Sequence, residues 1–304
     1  MEILPYEPAM LTDVAAAYND AIRDVPHCYP VNVEDLEPAL AGTAGGQPGH
    51  VDVHSEAAWI AKAGASVLGL IHAGVGQEPV ESAQGPGRTD RGIVRFFCYA
   101  RGQRSAGQAL LEAAHRYLRE QQIARIEAFG ACFRYPFYYM DHANLSDRLD
   151  QVRALLQLNG YEPYDGEVFF DWPDYGPVDP VASDVPVEFS PDFQKGSGAR
   201  PNLTLSALRD GDRIGECICA SGGEFSRAAE AQDWLFVRWL GIDDEHQGAG
   251  LGRQLLQHAL KEMHAVGYRH AAISTDWKNY RAFVFYSNYG FRVTDWTYGL
   301  AREL

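Results

Sequence analysis

His246-Gln247-Gly248-Ala249-Gly250-Leu251-Gly252-Arg253 is the stretch on which the fold turns. Before it runs Trp234 to Ile242, an apolar segment that reads as a buried strand. After it, Leu251, Leu255, Leu256, Ala259 and Met263 recur at helical spacing. The octapeptide is therefore a glycine-rich turn from a strand into a helix N-terminus. Free backbone N–H groups and the positive end of the helix dipole make such a turn a site for an anion, a diphosphate for example. The glycines run G-x-G-x-G rather than G-x-G-x-x-G, which excludes a standard dinucleotide fold.

The next segments repeat this order. A strand is expected over 269–275, a helix over 279–289, then Gly290-Phe291 and a final strand pair to 304. Upstream, a strand over 92–99 passes through Arg101-Gly102-Gln103-Arg104-Ser105-Ala106-Gly107 into a helix over 107–121. A strand over 122–129, a helix over 146–159, Gly160-Tyr161 and a strand around 166–171 follow. The two halves read as a diverged duplication. They are separated by Trp172 to Pro186, rich in Pro, Asp and Gly. The expected domains are 1–172, a linker 173–185, and 186–304. The first half opens with a strand near 2–6, an amphipathic helix near 10–23, a short helix near 33–41 and strands near 57–64 and 66–75. Residues 76–91, polar and glycine-rich, read as a long loop. The second half has strand-like pieces at 202–209 and 213–220 and no counterpart of the opening helices.

With 304 residues, 46% of them hydrophobic and 22% charged, the chain has the composition of a globular protein of about two domains. A formal charge of −15 argues against nucleic-acid binding, which needs a basic face, and suits a cationic small substrate. Met1-Glu2 opens no secretory signal, and no apolar run reaches the roughly 20 residues needed to span a membrane. Cys28, Cys98, Cys132, Cys217 and Cys219 are odd in number and match neither a disulfide framework nor a zinc site. Reduced thiols in a cytoplasmic protein without a metal are expected.

After the second strand comes Asn279-Tyr-Arg-Ala282-Phe-Val-Phe-Tyr286-Ser-Asn-Tyr-Gly290-Phe291. Together, Gln247, Gly250 and Gly252 at the turn and Asn279, Tyr286 and Gly290-Phe291 beyond it resemble the GNAT family of acyl-CoA-dependent N-acyltransferases. The resemblance is clear over 233–304 and weaker over 1–172, and the layout is that of tandem GNAT proteins. It implies an α/β (α+β) fold of two tandem GNAT-like domains, each with a mixed, mostly antiparallel sheet, flanking helices and splayed central strands. It also implies acetyl-CoA as co-substrate and an amine, of a small molecule or peptide, as acceptor, in a monomer or homodimer.

By the same resemblance, backbone N–H groups of Gly248, Ala249, Gly250, Leu251, Gly252 and Arg253 hold the diphosphate, beside Gln247. Pantetheine lies along the strand carrying Leu240 and Ile242, with Asn279 on its arm. Arg253, Lys278 and Arg281 are candidate phosphate partners. Tyr286 is the expected acid: tyrosine's pKa is about 10 and an alkyl thiol's roughly 8–9, so its hydroxyl can protonate the departing sulfur. Candidate bases for the attacking amine are Glu216 and Asp233, then Asp276 and Glu224.

The first half keeps less of the pattern. Matching Leu110-Leu111 to Leu255-Leu256 sets Gly107 on Gly252; a second register sets Arg104 on Gln247. Gly160-Tyr161 against Gly290-Phe291 puts Leu156 opposite Tyr286, and leucine has no proton to give. Residues 130–146 are inserted and bring Tyr135, Tyr138 and Tyr139. A degenerate first copy and an active second one are expected, with a non-catalytic acyl-CoA sensor as the alternative. Transfer from aminoacyl-tRNA is disfavoured by the acidic charge.

Overall fold

The structure, a computed structural model, describes residues 1–42, 52–82, 85–130 and 133–304, with the backbone alone at 52, 78–82 and 85–88. Cys132 and part of the 130–146 insertion lie outside the described residues. The chain forms two compact units. One comprises Met1–Glu167 with Asp295–Leu304, the other Val168–Thr294.

In chain order the first unit holds β1 (Glu2–Pro5), α1 (Leu11–Ile22), α2 (Val33–Leu40), β2 (Asp52–Ala63), β3 (Ser66–Ser82), β4 (Gly85–Tyr99), α3 (Arg104–Glu120), β5 (Arg125–Ala128), β6 (Leu145–Ser146), α4 (Asp150–Leu158) and β7 (Glu162–Asp165). β8 (Glu167–Trp172), β9 (Glu188–Gln194), β10 (Asn202–Arg209), β11 (Asp212–Ser221), β12 (Trp234–Ile242), α5 (Leu251–Ala265), β13 (His270–Asp276) and α6 (Tyr280–Ser287) follow. The last strand, β14 (Arg292–Glu303), continues from the second unit into the first.

The first sheet has the order β1-β2-β3-β4-β5-β14, antiparallel except for β4 with β5. α1 and α3 cover its two faces. Tyr18 of α1 meets Phe96 with ring centroids 4.9 Å apart, while a Cβ on Gly107 of α3 would fall 2.5 Å from the Tyr99 ring. Phe96 and Tyr99 are an odd number of residues apart on β4 and so point to opposite faces. The amphipathic reading of α1 is realised: Val14, Ala15, Tyr18 and Ile22 are buried. The expected loop at 76–91 is instead the outer part of the β3–β4 hairpin, paired from Gly76↔Arg91 to Ser82↔Gly85. Backbone pairing builds a ribbon of this kind without any apolar alternation, so the sequence signal is absent.

The second sheet has the order β8-β13-β12-β11-β10-β9, with β12 and β13 parallel. β12 and β13 pair only from Trp234↔His270 to Val237↔Ile273, although both strands run on to Ile242 and Asp276. Their C-terminal ends therefore part, as the resemblance stated above implies. α5 covers the face that carries Gly215 and buried Cys217 and Cys219.

The two ends of each unit differ from the sequence expectation. β8, expected to finish the first half, lies beside β13. There Phe169 stacks on Phe236 (6.1 Å), and Phe170 meets Phe283 (4.9 Å) and Tyr286 (5.8 Å). The expected final strand pair is one strand, β14, whose distal part pairs with β5 and β7 of the first sheet. The cause is packing, not propensity. Phe169 and Phe170 are fully buried, at about 1.5–3 kcal/mol each, and nothing in their local pattern says which sheet takes them. The presumed linker is not free either: Tyr175 N donates to Arg269 O (3.0 Å), and the segment then follows α5.

Candidate functional site

The parting of β12 from β13 opens a cleft of about 660 Å³ in the second unit. Its floor is the turn from β12 into α5. Gly248 and Gly250 there have φ of +85° and +83°, a region that costs any L side chain roughly 1–2 kcal/mol. Gly250 is also the N-cap of α5 and has no side chain with which to satisfy the first turn. The amides of that turn are left for a ligand. Arg253, one turn into the helix, lines the same cleft. Its Nε is buried and has no hydrogen-bond partner among the described residues. A buried guanidinium nitrogen beside free helix amides is the environment an anionic diphosphate fits.

The walls come from β12 and α6. Leu240 and Ile242 line the strand side. Gln247 turns back to donate to Ile242 O and to Asp244 Oδ1, both at 2.9 Å, and accepts from Arg281 Nη1 at 3.1 Å. The turn is thereby braced to α6. Asn279 is the N-cap of α6, its Oδ1 accepting from Ala282 N at 3.1 Å, which leaves its NH₂ group facing no partner among the described residues. Tyr286 lines the cleft at 7% exposure, edge-on to Phe170, Phe285 and Phe291. Those rings fix the phenol's position. Gly290, at φ +98°, ends this helix segment, and a Cβ there would come within 2.7 Å of the Trp172 indole.

Most of the sequence-derived residues thus converge: Gln247, Gly248, Ala249, Gly250, Gly252, Arg253, Asn279, Arg281, Leu240, Ile242 and Tyr286 all line the one cleft. Leu251 differs, because its side chain is buried in the core at 1% exposure and only its backbone belongs to the turn. The expected bases do not converge. Glu216 is held in an ion pair by Arg213 on the same strand. Asp233 lies before the first residue of β12, at the end of the strand away from the turn, and pairs with Arg200 Nη2 at 2.7 Å. Glu224 is tied to Ser197 and Asn202, and Asp276 accepts from Lys278 N. None of the four lines the cleft. Sequence reasoning missed Phe170, which backs Tyr286, and Asp184, which lines the turn. Neither lies in a motif, and both reach the site through chain paths that only the fold reveals.

Among the described residues no group of His, Cys, Asp and Glu is placed to hold a metal ion, and no helix is long and apolar enough to cross a membrane.

Comparison with known proteins defines the class. Residues 201–293 match the family model described as "Acetyltransferase (GNAT) domain". No curated protein matches. Among solved structures, a tandem GNAT protein from the clavulanic acid biosynthesis pathway superposes with a TM-score of 0.66 at 13% identity, over 99% of this chain and 98% of that one. A GCN5-related N-acetyltransferase from Sphaerobacter thermophilus gives 0.59 at 13% identity, over 99% and 95%. Residues 201–293 of the second unit are thus similar to a GNAT acetyltransferase domain, and the chain as a whole has the fold of tandem GNAT proteins. The chemistry of that family is, in general, acyl transfer from acetyl-CoA to amines.

Proposed function

We propose that the protein is an acetyl-CoA-dependent N-acetyltransferase whose chemistry is carried by the second unit, with the amine of a small molecule or peptide as acceptor. The observation that carries this reading is one cleft uniting free helix amides, a buried unpartnered Arg253 Nε and the Tyr286 phenol. Bound acetyl-CoA supplies an acyl group activated as a thioester. The amides of 248–253 and Arg253 hold its diphosphate, and Asn279 and the edge of β12 at Leu240 and Ile242 orient the arm. Backbone N–H on that edge stabilises the oxyanion formed when the amine attacks. The Tyr286 hydroxyl gives its proton to the departing sulfur, which leaves as the neutral thiol, and the proton lost by the attacking nitrogen restores the phenol by way of solvent.

Glu216 and Asp233 are not assigned as bases, since each is engaged by an arginine outside the cleft. The acidic balance of the chain suits a cationic acceptor. Replacing Tyr286 by Phe tests the reading: thiol release with a panel of amines should fall about 100-fold, the low end for acid–base catalysis, with acetyl-CoA binding kept. A protein that binds acetyl-CoA but releases no thiol with any amine would support the sensor alternative instead.

A further inference from the structure

The segment between the two repeats is fastened along α5 and ends in the cleft. Tyr175 OH donates to Leu260 O (3.3 Å). Val181 N and Ser183 N donate to the side-chain oxygens of Gln257 (2.9 Å) and Gln254 (3.0 Å). Asp184 N donates to Ala249 O (3.2 Å). The Ser183 Cα lies 3.9 Å from where a Cβ on Gly250 would stand. These bonds run from Leu260 of α5 back to Ala249 in the turn before it, so the strap is held by the Tyr175 hydroxyl and then, from Val181 to Asp184, by its backbone donors.

Its last fixed residue brings a carboxylate to a place built for an anion. Asp184 lines the cleft together with Gly248, Ala249, Gly250 and Arg253. Resting on the proposed function above, we infer that Asp184 is an affinity-setting residue of the CoA site, opposing the diphosphate of the bound nucleotide with a like charge. Before CoA binds, the carboxylate complements the positive end of α5. When the diphosphate arrives, the same carboxylate repels it. Because the repulsion acts equally on substrate and product, it weakens acetyl-CoA and free CoA alike and speeds departure of the product thiol.

The size of the effect follows from charge separation across a solvent-facing cleft. For an assumed separation of roughly 6 Å, unit charges in water interact by an amount worth about threefold in affinity, and a doubly charged diphosphate raises this to about tenfold. Removing the charge leaves the strap in place, since Asp184 is fixed through its backbone N–H.

The test is calorimetric titration of free CoA into the full chain, using the wild type, Asp184→Asn, Asp184→Glu and, as a control on the same strap, Asp179→Asn. Asp184→Asn is expected to lower the Kd roughly threefold to tenfold in low salt. The gap should close to under about twofold near 1 M salt, where the screening length is about 3 Å. Asp184→Glu and Asp179→Asn should match the wild type. Unchanged or weaker binding by Asp184→Asn, or a gap that survives high salt, overturns the inference while the wild type's binding leaves the CoA reading intact. A wild type that does not bind CoA overturns both.

Discussion

The same strand–turn–helix occurs twice in this chain and is open in one unit and closed in the other. In the second unit the turn ends with two positive-φ glycines, and α5 begins only at Leu251. Setting Gly107 opposite Gly252 also brings the helix ends Glu120 and Ala265 into register. On that register α3 starts two residues earlier than α5, so the backbone that forms an open turn in one unit is wound into helix in the other. Tyr99 fills the space over Gly107 and donates to Gln151 O at 2.7 Å. Arg101 Nη2 reaches Asp150 Oδ1 at 2.7 Å and closes the turn onto α4. What remains is a hollow of about 170 Å³. Leu149 stands at the N-cap of α4 with no capping side chain, where Asn279 caps α6, and Leu156 is fully buried.

Beyond the last β4–β5 pair the insertion fills the splay. Tyr135 stacks on Phe96 at 5.5 Å and Tyr138 meets it edge-on at 5.7 Å. A buried polar chain staples this plug. Tyr135 OH contacts His72 Nδ1 (3.0 Å), His72 Nε2 lies 2.9 Å from Glu56 Oε2, and Arg95 donates to Glu56 (2.8 Å) and to Phe133 O (2.9 Å). One unit thus has an open groove at this turn, and the other fills the corresponding place with core. Phe133, Tyr135, Tyr138 and Tyr139 of the insertion are buried as core.

The largest expected effect breaks the equivalence of the two halves as separable pieces. Expressed alone, residues 186–304 lack β8, leaving β13 without its neighbour and Phe236 and Phe283 without Phe169 and Phe170. That fragment should be insoluble or unfolded by circular dichroism. A soluble, active 186–304 would contradict the strand assignment. Within the full chain, Phe170→Ala should cost about 3–5 kcal/mol in denaturant unfolding.

The local parts of the site were legible in the sequence. Strand, turn and helix at 234–265 are contiguous, and their periodicity and glycines mark them without help from the rest of the chain. Asn279, Tyr286 and Gly290 were readable through the resemblance to the GNAT motif. The exchange of β8 and β14 was not, because a run such as Val168-Phe169-Phe170 is equally apolar whichever sheet receives it. Bases were not readable either. Glu216 and Asp233 look free in sequence, and only the fold places Arg213 and Arg200 beside them. Past Tyr175 the strap's path along α5 depends on the backbone donors of Val181, Ser183 and Asp184, which leave no side-chain signature.

The next effect sharpens the contrast between the turns. Gly250→Ala forces a Cβ into left-handed backbone at a cost of about 1–2 kcal/mol. Acetyl-CoA affinity should fall roughly tenfold in calorimetry, while Gly102→Ala in the closed turn should leave it unchanged. Equal effects at both glycines would make the two turns functional equals.

A smaller effect separates the units by pH. Burial, aided by Arg302 and Arg119, pushes His115 down to about 4, and burial also lowers His72 despite its contact with Glu56. Unfolded histidines bind protons near pH 6.5 while these folded ones do not, so their stabilisation is complete above about 6.5 and is lost as pH falls toward 4. Burial raises the Glu56 carboxyl, but His72 and Arg95 outweigh it and hold the group low, which adds a further loss below about pH 4.3. For His115 the loss is on the order of 3 kcal/mol at about 1.4 kcal/mol per pH unit. Hydrogen exchange between pH 7 and 4.5 should show the first unit loosening before the second, and His115→Gln should reduce the slope.

The claim that only one groove is open is tested most directly by counting acetyl-CoA molecules per chain. Calorimetric titration of the wild type should give a stoichiometry of one, weakened by Gly250→Ala and untouched by Arg101→Ala. Two equivalents per chain, or loss of binding on changing Arg101, would contradict it.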